Sequence, residues 1–348
     1  MSISGPGRSR RANPASAEEI QFNVTITDVA KLAGVSRMTV SRALNKPELV
    51  NETTLETVRR VVERTGYVPN MLAGSLSSRR SHMVAAIVPS ITNSIFVDTV
   101  QAFTDRLWEA GYQVMLGLAG YPPTREEALL SEVLSRRPDA VYLTGITHTP
   151  SIRQKLLRAQ IPIVETWDLT STPLDMLVGF SHEGAGEAVA QYLLGKRFRR
   201  LAGISADDER ARRRQAGFLR GVGNRRAEVR TVFVPAPSSL QLGRQGLASL
   251  IEEGFDPQAV FCSSDLLALG VLEEARARKL TVPDELAIVG FGGLDFTEHI
   301  HPALSSVVID RRGIGEKAAQ LLIKRLQGAG SRDVVVDVGY KVVERGTS

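Results

Sequence analysis

The sequence predicts an N-terminal all-α unit joined by a short linker to a larger α/β domain of two lobes. Three observations predict it. Between Val24 and Gly66, apolar residues recur at helical spacing and are punctuated by glycine. From His82 onward, short apolar runs alternate with longer amphipathic stretches, the mark of a parallel sheet covered by helices. That rhythm restarts after the loop at Thr172-Pro173, dividing the α/β region in two. With 348 residues, 43% of them hydrophobic, the chain has material for about two or three cored domains.

In chain order, residues 1–22 read as a flexible tail rich in Ser, Pro, Gly, Arg and Ala, whose Arg8, Arg10 and Arg11 attract polyanions. Residues 23–70 read as the helical unit. Ile26, Val29, Ala30 and Ala33 fall at i, i+3, i+4 and i+7, one apolar stripe on a short helix that Gly34 ends. Val35 covers the turn. Ser36 can cap a second helix whose Val40, Ala43 and Leu44 face inward, leaving Arg37, Met38, Ser41 and Arg42 outside. The pattern is that of a helix-turn-helix, although a helical hairpin that binds nothing shares it. A third helix over Thr53 to Thr65, with Leu55, Val58, Val61 and Val62 inward, completes a small core and weighs against the bare hairpin. Gly66-Tyr67-Val68-Pro69-Asn70 closes the unit. Residues 71–81 form a linker too short and glycine-containing to hold a helix alone.

The second helix of a helix-turn-helix lies in the major groove of DNA, where arginine pairs best with guanine. Arg37, Met38 and Arg42 are therefore the candidate base readers. Hydroxyls of Thr25, Ser36, Thr39 and Ser41, with the amide of Asn45, suit phosphate contacts that set register. The charge agrees. Residues 1–80 hold 12 Lys+Arg against 7 Asp+Glu, leaving 31 of each beyond, so the net charge of +5 sits wholly in the first module. A basic excess confined to one small unit fits phosphate neutralisation.

The remainder, 82–348, alternates as Met83–Val88 (strand), Asn93–Ala110 (helix), Gln113–Leu118, Thr124–Ser135, Ala140–Leu143, Ser151–Ala159 and Ile163–Glu165. The second lobe is expected to run from Met176–Val178 through Glu183–Leu194, Arg200–Ile204, Arg210–Gly221, Arg230–Phe233, Leu242–Ile251, Ala259–Cys262, Leu266–Ala277 and Leu286–Val289. Ligands of such sheets sit beyond the carboxyl ends of the strands, so two facing lobes enclose a cleft.

Several classes are excluded. One cysteine, Cys262, forbids an intramolecular disulfide or a zinc finger, and its place at an apolar strand end marks a buried thiol rather than a nucleophile. Five histidines without paired spacing offer no metal site. There is no GxGxxG after a first strand, no phosphate-binding GxxxxGK and no nucleophile elbow, so neither enzyme activity nor a cofactor is expected. No apolar run approaches the ~20 residues that span a bilayer and no signal peptide opens the chain, so a cytoplasmic protein with no membrane partner is expected.

Asp28-Val29-Ala30, Ala33-Gly34-Val35-Ser36, Thr39-Val40-Ser41-Arg42 and Gly66-Tyr67-Val68-Pro69-Asn70 together resemble the signature of the lactose-repressor (LacI-type) family. The resemblance extends from Val24 to about Val343. It implies a periplasmic-binding-protein-like effector domain in which the chain crosses between lobes and the segment near Val307 to Leu322 returns to the first. It implies a hinge helix in which Leu76 wedges into the minor groove, and a homodimer on a pseudo-palindromic operator in double-stranded DNA. The C-terminal stretch Gly339–Ser348 lacks the leucine heptads with which some members tetramerise.

Residues just after strands are the candidate effector ligands: Ser90, Asn93 and Phe96; Thr147, His148 and Thr149; Glu165 and Asp168; Arg212 and Arg214; Ser264 and Asp265; Gly292, Gly293 and Asp295. Hydroxyls, carboxylates and amides with one or two arginines suit a polyhydroxy acid. By family position Arg214 anchors the effector and Arg311 follows the third crossover, as a ligand contact or a structural ion pair. His148 and His182 read as hydrogen-bonding or helix-start residues. Pro89-Ser90-Ile91-Thr92-Asn93, Thr147-His148-Thr149-Pro150 and Gly290-Phe291-Gly292-Gly293-Leu294-Asp295 resemble the gluconate-operon repressors, so the effector expected is gluconate, 6-phosphogluconate or a ketogluconate. Departures accompany them: Gly292 stands where most members carry aspartate, Ser181-His182 where an aspartate-asparagine pair is usual, and Ser263-Ser264 where asparagine before the aspartate is common. The expected function is a sequence-specific repressor controlled by that acid. An activator or co-repressor-dependent regulator, a sugar-acid enzyme fused to a DNA-binding domain and a transport solute-binding protein are the alternatives; residues 24–80 have no use in the last.

Overall fold

The computed structural model describes residues 24–68, 80–92, 94–223, 227–331 and 334–348. The chain forms two compact units, one reaching Ser78 and the other starting at Arg79.

The first unit has α1 (Ile26–Ala33), α2 (Arg37–Asn45) and α3 (Glu52–Thr65). Thr25 and Asp28 close a reciprocal capping box on α1, and Gly34 ends the helix at φ 67°, where a Cβ would be strained. Ser36 and Asn51 cap α2 and α3, accepting from Thr39 N at 3.1 Å and Thr54 N at 2.8 Å. The asparagine cap starts α3 one residue earlier than its apolar stripe announces. Val29, Ala30, Val40, Ala43, Val58, Val61 and Tyr67 are the buried core of this unit.

The second unit opens with β1 (Met83–Val88), α4 (Val97–Glu109), β2 (Gln113–Leu118), α5 (Pro123–Ser135), β3 (Ala140–Thr144), α6 (Pro150–Ala159), β4 (Ile163–Thr166) and β5 (Met176–Gly179). It continues with α7 (His182–Gly195), β6 (Arg200–Ala206), α8 (Glu209–Val222), β7 (Glu228–Val234), α9 (Leu240–Glu252), β8 (Ala259–Cys262) and α10 (Asp265–Ala277). It ends with β9 (Ala287–Gly292), α11 (Phe296–His299), β10 (Ser305–Val308), α12 (Arg311–Leu326), β11 (Val334–Asp337) and β12 (Lys341–Val343). Among the described residues these strands make two six-stranded sheets, ordered β11-β5-β4-β3-β1-β2 and β12-β10-β9-β8-β6-β7. Every recorded pairing is parallel except β10 with β12. The inner strands are largely apolar and, but for Met83, buried, because helices cover both faces.

The chain passes between lobes after β5, after β10 and after β11. Two expectations are thereby corrected. Met176–Val178 was expected to open the second lobe, yet β5 pairs with β4 through Val164 and Met176 in the first sheet. Val307 was expected to return to the first lobe, yet it pairs with Phe291 in the second, and the return begins with α12, which packs on α4, β4 and β5. A short buried strand reads the same in either sheet, since its apolar run records burial and not its neighbour. For the same reason α11, β10, β11 and β12 had no assignment from periodicity. Cys262 is fully buried, and burial pushes its thiol up, as an inert core group requires.

Among the described residues no helix is long and apolar enough to cross a membrane, and no cluster of His, Cys, Asp and Glu is spaced to hold a metal.

Candidate functional site

In the first unit, α2 buries Val40 and Ala43 and turns Arg37, Met38 and Arg42 to solvent, Met38 being 62% exposed. Neither arginine has an ion-pair partner among the described residues. The small hydroxyls around them are already engaged. Thr25 Oγ1 donates to Asp28 at 2.6 Å, Ser36 and Thr39 hydroxyls pair at 2.9 Å, and Asn45 Nδ2 donates to the Ser41 carbonyl at 3.0 Å. These groups stiffen the helix ends, while two free guanidiniums and a thioether stand clear. Leu76 lies outside the described residues.

In the second unit the decisive group is Arg214, on the first half of α8. It is 7% exposed and lies over the Phe291 ring at 3.9 Å. One terminal nitrogen donates to His182 Nδ1 at 2.9 Å and the other to the Ser263 carbonyl at 2.9 Å. The His182 Nε2–H donates to the Trp167 carbonyl at 2.7 Å, which leaves Nδ1 with the lone pair that accepts from Arg214. Burial, with Arg214 alongside, holds this imidazole well below its usual pKa, so it stays neutral. Arg214 Nε has no partner, and no carboxylate among the described residues lies within ion-pair distance of the guanidinium. Burial and Arg210 pull it down to about 10 against the opposing pull of Asp208, yet at neutral pH it remains a cation without a bound counter-charge.

Arg214 lines a small cavity of about 30 Å³ between the lobes with Phe96, Trp167, His182, Ser264 and Phe291. This opens beside a larger one of about 290 Å³ containing Thr144, Gly145, Thr147, Asp168 and the turn Asp207-Asp208-Glu209. Helix packing places the arginine. Ideal Cβ atoms on Gly186 and Gly217 would come within 2.0 Å of the Arg214 and Glu183 carbonyls, so α7 and α8 meet backbone to backbone.

Two stretches match known families. Residues 25–70 match the bacterial regulatory proteins of the lacI family, and residues 190–348 a periplasmic binding protein-like domain. The HTH-type transcriptional regulator GntR of Pseudomonas aeruginosa is 37% identical over 92% of this chain and 94% of its own. IdnR of Escherichia coli, also an HTH-type transcriptional regulator, is 32% identical over 93% and 98%. A LacI-family transcriptional regulator from Silicibacter pomeroyi superimposes with a TM-score of 0.88 at 32% identity, covering 93% and 99% of the two chains. The chain belongs to the lacI family of bacterial regulatory proteins. Its relatives are DNA-binding transcriptional regulators and not enzymes. The lac repressor, at 22% identity and a TM-score of 0.79, shares its fold.

Of the effector residues expected from this lacI-family sequence, Phe96, Arg214 and Ser264 meet in the inner cavity, and Thr147 and Asp168 line the outer one. Ser264 spends its oxygen as the cap of α10. Others do not line either cavity. Ser90 pairs with Thr92 at 2.7 Å. His148 and Glu165 lie beneath the outer cavity: His148 Nδ1 is 3.0 Å from Glu126, Nε2 is 3.3 Å from Glu165 in an ion contact, and Glu165 also accepts from Leu174 N. Burial lowers the His148 pKa, but the two carboxylates outweigh it and push it up to about 9. Asp265 is fully buried, accepting from Ser306 Oγ at 2.6 Å and Leu294 N at 2.8 Å. Arg311 binds Asp98 at 2.8 Å and the Gly292 carbonyl at 2.6 Å, a tie rather than a wall of the cavity. The side chain of Asp295 is 96% exposed, beside His299. Asn93 lies outside the described residues.

The expected positions fail where a residue follows a strand but its side chain turns back into the lobe, as His148, Glu165 and Asp265 do, or out to solvent, as Asp295 does. The site also gains Tyr121, Trp167, Arg210 and Asp208, which sequence reasoning passed over, and His182 and Ser263, which it named only as departures from the family pattern. Tyr121 follows β2 and Asp208 follows β6, so the strand-end rule applied to those two strands would have found them. Trp167 sits at φ 68°, a left-handed backbone that no residue type at that position advertises.

Proposed function

We propose that this regulator is a repressor whose operator affinity is set by a sugar acid held between the lobes of its second unit. Arg214 carries the reading. A buried cation lacking a counter-charge, fixed at both terminal nitrogens and left with an unsatisfied Nε–H, calls for an anionic acceptor. The hydroxyls and carboxylates of the adjoining cavity then suit a polyhydroxy chain. The local resemblance to gluconate-operon repressors supports the same chemistry.

On the DNA side Arg37, Met38 and Arg42 read bases, and residues 71–81 with Leu76 serve as the hinge. The protein acts in the cytoplasm as a homodimer on a pseudo-palindromic operator, as the family's architecture implies. Acid and operator oppose one another through a coupling free energy of about 1 to 3 kcal/mol.

The test is a titration of fluorescent promoter DNA at fixed salt, with and without gluconate, 6-phosphogluconate and 2-ketogluconate. Release of DNA by a sugar acid is expected; tighter binding would make the acid a co-repressor, and indifference to all of them would remove the effector. Arg214→Ala should keep operator binding and lose the response, read as calorimetric loss of ligand affinity.

A further inference from the structure

The two cavities are continuous, since Tyr121, Asp208 and Arg210 line both. Their charges differ. The inner end presents the guanidiniums of Arg210 and Arg214. The outer cavity is lined by five carboxylates, Glu126, Asp168, Asp207, Asp208 and Glu209, against Arg210 as the one lining cation among the described residues.

Four of these carboxylates have cationic partners outside the lining. Arg212 holds Asp207, Arg213 serves both Asp168 and Glu209, and His148 is shared by Glu126 and Glu165. Asp208 has no such partner and caps α8 through Ala211 N. With Glu165 included, six carboxylates meet Arg210, Arg212, Arg213, His148 and Arg125, whose guanidinium lies beside Gly120, so negative charge stays in excess once an effector carboxylate has met Arg214. The Gly120 and Gly145 amides already donate to the Pro89 and Thr166 carbonyls, and no lysine lines either cavity among the described residues.

We infer that the outer cavity is a charge filter, admitting the hydroxylated tail of a monoanionic sugar acid and rejecting a second anion at its far end. The inference rests on the sugar-acid reading above. Hydroxyls donate well to carboxylates, which accept from vicinal pairs. A terminal phosphate or second carboxylate brings only acceptors and like charge to the same place, which is selection by repulsion. The effector class is therefore the unphosphorylated monocarboxylate.

Calorimetric titration of the full chain with gluconate, 2-ketogluconate, 6-phosphogluconate and glucarate, at low and high salt, tests this. One of the monoanions should bind roughly tenfold or more tighter than 6-phosphogluconate and glucarate, and the gap should narrow at high salt because Asp207 and Glu209 are half exposed. The Asp207→Asn, Glu209→Gln double variant should narrow it further, chiefly by improving 6-phosphogluconate. Equal or tighter binding of 6-phosphogluconate, or a gap unmoved by both salt and the double variant, overturns the filter while leaving the sugar-acid reading intact. No binding of any of the four overturns both.

Discussion

Arg42 and Arg214 are the same side chain in opposite settings, one exposed and one buried. Arg42 is exposed on α2 with no hydrogen-bond or ion-pair partner for its side chain among the described residues, the placement that base reading by its hydrogen-bonding fork requires. Arg42→Ala should cost roughly 1 to 3 kcal/mol of specific operator affinity and flatten base preference. Equal losses on specific and random DNA in a competition assay would assign it to phosphate instead. Both arginines were legible in the sequence, Arg42 from helical spacing and Arg214 only through family position, since a basic run from Arg210 to Arg214 conceals which member turns inward. His148 was legible as a hydrogen-bonding residue but not as a buried cation. Its pKa is raised to about 9 by Glu126 and Glu165, so its contribution is complete below its ordinary value near 6.5 and is lost as pH rises through about 9. The melting temperature of the second unit should therefore fall between about pH 7 and 10, and His148→Gln should start lower and stay flat across that range. A wild-type curve parallel to the variant's would show that the ion contacts contribute nothing.

At the scale of elements, the helix pairs flanking the second sheet are closed by glycine. Gly243 and Gly270 bring α9 and α10 together as Gly186 and Gly217 do for α7 and α8, and Gly315 does the same for α12 against α4. In the sequence these glycines look only like a helix penalty, because the partner that each admits is distant along the chain. For α7 and α8 the close approach also sets how far Arg214 reaches toward His182. Gly186→Ala should thus destabilise by roughly 1 to 3 kcal/mol or more and weaken sugar-acid affinity together, measured by thermal melts and calorimetry. Gly195, where an added Cβ meets nothing within 4 Å, is the control. Its change to alanine should be neutral or stabilising by about 0.4 to 1 kcal/mol. Lost stability with unchanged ligand affinity in Gly186→Ala would separate packing from the site.

For the whole molecule, the helical first unit and the α/β alternation of the second follow from local period. Connectivity does not, because it depends on which sheet a buried strand joins: β5 misled in that respect, and the return near Val307, placed by family resemblance, begins only after β10. The three passages between lobes have a further effect on inheritance. The last two strands, β11 and β12, are edge strands of different sheets, and Thr347 hydrogen-bonds β9 and Ser305 from the far end of the chain. A premature stop codon just ahead of Val334 would strip an edge from both lobes at once. Such an allele should yield little folded protein by immunoblot and constitutive expression of the target genes, recessive to wild type. A stable, DNA-bound product from it would mean that the lobes close without their final strands.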